Sequence, residues 1–333
     1  MRSGRASRTH YGMIRLTDWG TEHHPACMTR GGELNPLPLK GDNTMELGKL
    51  GVFCFTDALT PAQLTELAQR TESLGYSALW YPEVLSYESF SLSGFLLQQT
   101  QTLIVATGIA NIYARDATAT KQGQHSLSRL YGGRFLLGLG VSHTALVEDA
   151  RGHQYGRPIA TMRAYLDAMD KAVEIAPPVE VEPPTVLAAL GPKMTELAAE
   201  RTSGAFPYNV TPEHTARARH IVGPDKWLCV EQKVLLVQEP TKAREVARQT
   251  MDFYLGLPNY LNNWLRLGFS EADLASGGSD RFLDAMVAWG DEAAIQRRIQ
   301  EHFDAGASHV CIQALHPEGE PVPDWEALTA CAI

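Results

Sequence analysis

Short, nearly continuous apolar runs alternate along the chain with longer stretches in which apolar side chains recur every three or four residues. The runs at 50–55, 78–81, 103–109, 135–140, 185–190, 204–208, 227–237 and 309–315 lack the every-second-residue polarity of a half-exposed strand. They therefore read as parallel strands covered on both faces. The stretches between them read as helices, and their ends are marked. Thr60 and Pro61 supply an N-cap and a first-turn proline, and Gly75 closes the helix they open. The same phrase of helix, glycine and strand returns at 130–135, 201–206 and 304–310, as a chain needs when each helix turns back to a parallel strand. Eight strands with intervening helices predict an α/β fold of the (β/α)8 barrel type, with a doubly wound open sheet as the rival. The excess length lies at 252–288, where FYLGLPNYLNNWLRLGF at 253–269 reads as extra amphipathic helix before the last strand. Such an insertion either covers the barrel mouth or packs outside it.

Composition narrows this picture. A chain of 333 residues with 44% hydrophobic content is long enough for one large α/β domain. No linker-like stretch divides it after residue 45, so 45–333 reads as a single domain. Residues 1–44 are rich in Arg, Gly, Thr and His without sustained periodicity. They read as a disordered extension, or as the product of an upstream start codon. The formal charge is −9, and because 1–44 carry six basic and four acidic side chains, the remainder stands at −11. A nucleic-acid partner is disfavoured by so acidic a body. Cys27, Cys54, Cys229, Cys311 and Cys331 show no CxxC spacing, which favours small core hydrophobes in a reducing cytoplasm over metal ligands. No run has membrane-spanning length.

Chemistry in such folds collects where strands end. The segment 187–198 runs from strand through Gly191 and Pro192 into a helix containing Lys193 and Met194. A helix start there would aim free N–H groups at an anion, although an ordinary strand-to-helix turn uses the same residues. Gly138, Gly140, Val141, Ser142 and His143 form a second strand end; it is not a GxGxxG fingerprint, so a dinucleotide fits poorly. A third, 107–111, sets Gly108 beside the β-branched Ile109, followed by Ala110 and Asn111. That pairing suits a backbone bulge as well as a plain strand end.

Taken together these motifs resemble the bacterial luciferase-like superfamily and, within it, the coenzyme F420-dependent oxidoreductases. The resemblance runs from about Leu50 to Leu315. It rests on ALWYPE at 78–83, TGIANIYARD at 107–116, YGGRFLLGLGVSHTALVE at 131–148, GHQYGRPIATMRAYLDAMD at 152–170 and LAALGPKMTELAAERTSGAFPYNVTPEHT at 187–215. It implies a barrel mouth that binds a deazaflavin or a flavin, and a homodimer. It also implies a non-proline cis peptide at Gly108-Ile109 behind the ring, ring contacts from 140–143 and phosphate contacts from 191–194. The chain departs from relatives in two places. Glu83 and Val84 stand where many of them carry an Asp-His pair, and Val141 stands where the sugar-phosphate dehydrogenases carry a Glu. Sugar-phosphate oxidation is accordingly not expected.

Glu83 is then the first candidate acid or base, because a carboxyl desolvated at a barrel mouth has its pKa raised; a salt bridge or loop cap is its structural alternative. His143 is the second candidate. Phe55, Tyr81, Tyr208, Tyr260 and Trp264 are expected around the substrate, each with core packing as its alternative. The expected reaction is hydride transfer between reduced F420 and a small unsaturated or carbonyl compound. An FMN-dependent monooxygenase is the second possibility. Non-redox aldol or isomerase chemistry is a third, and it would need a buried lysine at a strand end; Lys193 opens a helix and Lys233 lies mid-strand.

Overall fold

In the computed structural model, residues 45–179 and 182–332 are described; the expectations for residues 1–44, including Cys27, fall outside them. Ten strands form: β1 Leu50–Phe53, β2 Ala78–Tyr81, β3 Ile104–Thr107, β4 Ala110–Asn111, β5 Phe135–Gly140, β6 Thr185–Ala188, β7 Gly204–Phe206, β8 Trp227–Leu235, β9 Val287–Trp289 and β10 His309–Ala314. Every pairing is parallel. The order β1-β2-β3-β5-β6-β7-β8 is closed by β10, which pairs with both β8 and β1. The barrel is therefore a closed cylinder of eight staves, not an open sheet.

Several staves stop one or two residues short of their apolar runs. Residues 54–55, 189–190, 207–208 and 236–237 leave the ladder and run on without strand pairing. The helix Pro61–Ser73 begins as expected: Thr60 and Gln63 form a reciprocal capping box, and Gly75 follows with φ 84°.

Alternation along the staves splits the core in two. Phe53, Trp80 and Phe206 point into the cylinder, with Trp80 and Phe206 stacked at 4.7 Å. Leu50, Val52, Leu79 and Tyr81 point outward under the helices. At the lower end the packing is complete. Trp80 Nε1–H donates to His309 Nε2 (3.0 Å), and His309 Nδ1–H donates to the Gly48 carbonyl (3.0 Å). Gly51 has no room for a side chain, since a Cβ there would lie 2.6 Å from His309 Nε2.

The insertion is helical, with helices Pro240–Leu255, Pro258–Leu267, Glu271–Leu274 and Asp280–Met286. The stretch that follows is not. Val287–Trp289, not among the eight apolar runs read as strands, form β9 against Lys233–Leu235 of β8. Because β10 occupies the other edge of β8, β9 takes the edge that β7 uses only at Trp227 and Leu228. A β-branched and an aromatic residue suit that otherwise unpaired edge better than a helix terminus.

Candidate functional site

Two residues separate β3 from β4, and the register shows why. Ala106 pairs with Leu136 and Ala110 with Leu139, so four steps on one strand match three on the other. The extra residue makes a bulge. Its Gly108-Ile109 peptide is cis, as the family resemblance implies. Thr107 seals the gap: its hydroxyl donates to the Gly138 carbonyl (2.8 Å) and accepts from the Gly138 N–H (2.9 Å). Glycine is required opposite the bulge, because a Cβ at Gly138 would lie 2.0 Å from the Thr107 carbonyl and one at Gly140 2.5 Å from Ile109.

Above the bulge opens a cavity of about 600 Å³, within the range of small-molecule and cofactor sites. Gly108, Ile109, Gly140, Val141 and Ser142 line one side, and Ala188 to Met194 another. Ser142 adopts φ 58°, which turns the chain sharply out of β5. Asn259, Tyr260 and Arg266 of the insertion close the remaining side. The insertion thus forms part of the mouth.

One end of the cavity gathers unpaired donors and positive charge. The helix Pro192–Arg201 starts at Gly191 without a side-chain cap. Among the described residues, the N–H groups of Gly191 and Lys193 have no acceptor, while those of Met194 and Thr195 turn back to the Gly191 carbonyl. An added Cβ on Gly191 would meet only the Arg266 guanidinium, at 3.7 Å. Neither Arg266 nor Lys193 pairs with a carboxylate among the described residues. Two unpaired cations and two free N–H groups beside an open glycine match a phosphate. Arg266 is the member that sequence reasoning missed. It is one arginine on an amphipathic helix, far along the chain from Gly191, and no local motif marks it.

His143 lines the cavity with its ring 5.8 Å from Tyr260. Burial lowers its pKa below the usual imidazole value, and hydrogen bonding to Asn259 partly offsets the shift. Its neutral form therefore prevails at neutral pH.

Glu83 borders the same cavity, but its carboxylate is fully engaged. One oxygen accepts from the Asn111 N–H (2.8 Å) and Arg115 (3.1 Å); the other accepts from Arg115 and, at 3.4 Å, from the Ser89 N–H. Arg115 also reaches Glu88 at 2.7 Å. This is the salt-bridge alternative: a carboxylate that ties the bulge to the loop after β2. Asp116 caps the next helix through the Ala119 N–H.

Ala110 and Asn111 are buried in the β4–β5 pairing and do not line the cavity. Two aromatic expectations need correction. Tyr81 faces outward, its hydroxyl held by Ser93 and the Ser89 carbonyl; the inward residue of that stave is Trp80, one position earlier. Trp264 is wholly buried, stacked on Tyr260 and donating to the Asn209 carbonyl (3.1 Å). Phe55, Tyr208 and Tyr260 do line the cavity. Lys233 is completely buried near the end of β8, which its mid-strand position did not suggest. Its amine is bonded to Glu231 (3.1 Å) and Asn209 and lies 4.1 Å beneath the Tyr208 ring. Burial lowers the pKa of Lys233 and raises that of Glu231. The Lys233 amine does not line the cavity. Cys54, Cys229, Cys311 and Cys331 are buried and unpaired, and no group of three or more potential metal ligands occurs among the described residues.

A closed parallel barrel with a bulged third stave and an uncapped, glycine-opened helix start after β6 describes a known class. Residues 45–309 match the luciferase-like monooxygenase family, and the chain belongs to it. A Mycobacterium tuberculosis protein whose name places it among the coenzyme F420-dependent oxidoreductases is 28% identical over 200 residues, half of this chain. The chain spans 58% of that relative's length. Among solved structures, an F420-dependent secondary alcohol dehydrogenase bound to an F420-acetone adduct aligns over 85% of this chain and 96% of its own. Its TM-score is 0.66 at 15% identity. The oxygenating component of a Pseudomonas putida 3,6-diketocamphane monooxygenase, in complex with FMN, aligns over 85% and 97% with a TM-score of 0.64 at 13% identity. These two likenesses establish the fold.

Proposed function

We propose that the chain is an oxidoreductase that transfers hydride between coenzyme F420 and a small unsaturated or carbonyl substrate. The observation that carries this reading is the cavity over the Gly108-Ile109 bulge, with an anion end at Gly191, Lys193 and Arg266. The name of the Mycobacterium tuberculosis relative supports a deazaflavin over a flavin. A bound deazaflavin would supply a two-electron hydride donor or acceptor.

This chain's residues do the rest. Gly191 and Lys193 would offer N–H groups, and Lys193 and Arg266 charge, to a phosphate. Ile109, Gly140 and Val141 would support a planar ring system. The aromatic lining would keep water from the reacting atoms, and alignment would be the main catalytic contribution. A proton must accompany the hydride, and His143 is the group placed to hold or deliver it. Glu83 is a positioning residue in this reading, because both of its oxygens are committed to Arg115 and backbone N–H groups.

Parallel titration with F420 and FMN, followed by tryptophan fluorescence, tests the assignment. Saturable F420 quenching, weakened by Lys193→Ala with Arg266→Ala, is expected. Tight FMN binding with no response to F420 overturns it in favour of the monooxygenase.

A further inference from the structure

Five rings form a continuous aromatic wall across the cavity. Phe55 meets Phe53 at 5.7 Å, Phe53 meets Tyr208 at 5.1 Å, Tyr208 meets Tyr254 at 5.6 Å and Tyr254 meets Phe253 at 5.4 Å. All five line the cavity. The two outermost rings are also exposed, Phe55 by 38% and Phe253 by 59%. Large apolar side chains left open at the lip of a pocket mark a contact surface.

The hydroxyl protons within the wall are spent inside the protein. Tyr208 donates to Gln313 Oε1 (2.8 Å), so in its 2.8 Å contact with Tyr254 the latter must be the donor. Each tyrosine has one hydroxyl proton, and neither is left for a ligand. The wall therefore behaves as an apolar surface. The lining carboxylate, Glu83, is neutralised by Arg115.

Charge is confined to the opposite end. The helix Pro258–Leu267 runs along the cavity with Asn259 near its start and Arg266 near its end. At 1.5 Å per residue the two are about 10 Å apart. Lys193 and Arg266 hold that far end, whereas His143, Asn259 and the aromatic wall share the near one.

We propose, on the basis of the cofactor reading above, that the substrate is an uncharged, flat-ringed ketone or conjugated enone. It would enter between Phe55 and Phe253, lie along the wall and direct its oxygen toward His143 and Asn259. A carboxylate or phosphate on the substrate would be stranded against the wall without a counter-charge.

The test compares 2-acetylnaphthalene with 2-naphthoate, matched in ring size and opposed in charge. Binding is read by calorimetry on F420-saturated protein, and again on coenzyme-free Lys193→Ala, Arg266→Ala protein so that the anion end cannot capture the carboxylate. The ketone should bind at least tenfold more tightly than the acid in both. Phe55→Ala with Phe253→Ala should weaken the ketone by about tenfold or more without lowering the unfolding temperature, and Phe55→Leu with Phe253→Leu should restore part of the loss. Equal or tighter naphthoate binding, or ketone binding indifferent to the alanine pair, overturns the proposal. If F420 itself fails to bind, the cofactor reading falls, while the coenzyme-free arm still decides the substrate class.

Discussion

The two ends of the barrel are made from the same strands and differ in how their polar groups are used. At the lower end every donor named has a partner: Trp80 gives to His309, His309 gives to Gly48, and Gly51 has no space for a methyl group. At the upper end the chain leaves the ladder early. Among the described residues, two N–H groups lack acceptors and two cations lack carboxylates, and the strands open around about 600 Å³ of space. Satisfaction at one end holds the cylinder closed. Its absence at the other leaves binding capacity for something other than the protein.

The contrast can be broken from either end. The largest effect is expected from His143→Ala, which should lower kcat by roughly a hundredfold or more, the scale of a lost acid-base group, while leaving the F420 dissociation constant unchanged in a fluorescence titration. Lys193→Ala with Arg266→Ala should do the reverse. Losing two charge-assisted contacts, worth about 1.5 kcal/mol or more each, should weaken F420 binding by about a hundredfold with little change in unfolding temperature.

Glu83→Gln should behave as a structural lesion, lowering stability by about 2 kcal/mol because Arg115 is left buried beside a neutral amide. Chemical denaturation should record that loss, with kcat of the folded fraction retained. At the lower end, Gly51→Ala should cost about 2 kcal/mol through the contact with His309 and leave F420 affinity intact.

A further effect is one of pH. Burial lowers the pKa of His309 to about 4, whereas the unfolded imidazole takes up its proton near 6.5. Between those values the unfolded state binds more protons, so stability should fall as pH drops from 6.5 toward 4 and change little from this source below that. Thermal melts of the wild type and His309→Asn across this window would isolate the contribution.

How much of this was legible in the chain depends on distance and parity. The eight staves could be read because buried parallel strands are apolar on both faces, and the capping residues of the first helix were local. β9 escaped because three residues carry no periodicity and its partner edge exists only after the barrel closes. Tyr81 was mistaken for Trp80 because an unbroken apolar run hides which residues face inward. Glu83 stayed open between proton transfer and a salt bridge because Arg115, its partner, stands 32 positions later. Lys233 looked unremarkable until Glu231, Asn209 and the Tyr208 ring were seen to enclose it. Arg266 needed the fold to be seen at all.

β9 has a consequence for engineering. Because Val287–Trp289 hydrogen-bonds to Lys233–Leu235, the helical insertion is sewn into a seam of the cylinder and does not hang from a loop. Cutting it out, or transplanting one from a relative, would strip a central stave of its neighbour and expose its main-chain amides and carbonyls. Any chimera meant to exchange substrate preference should therefore carry its splice point past Trp289, so that the graft arrives with its own stitch.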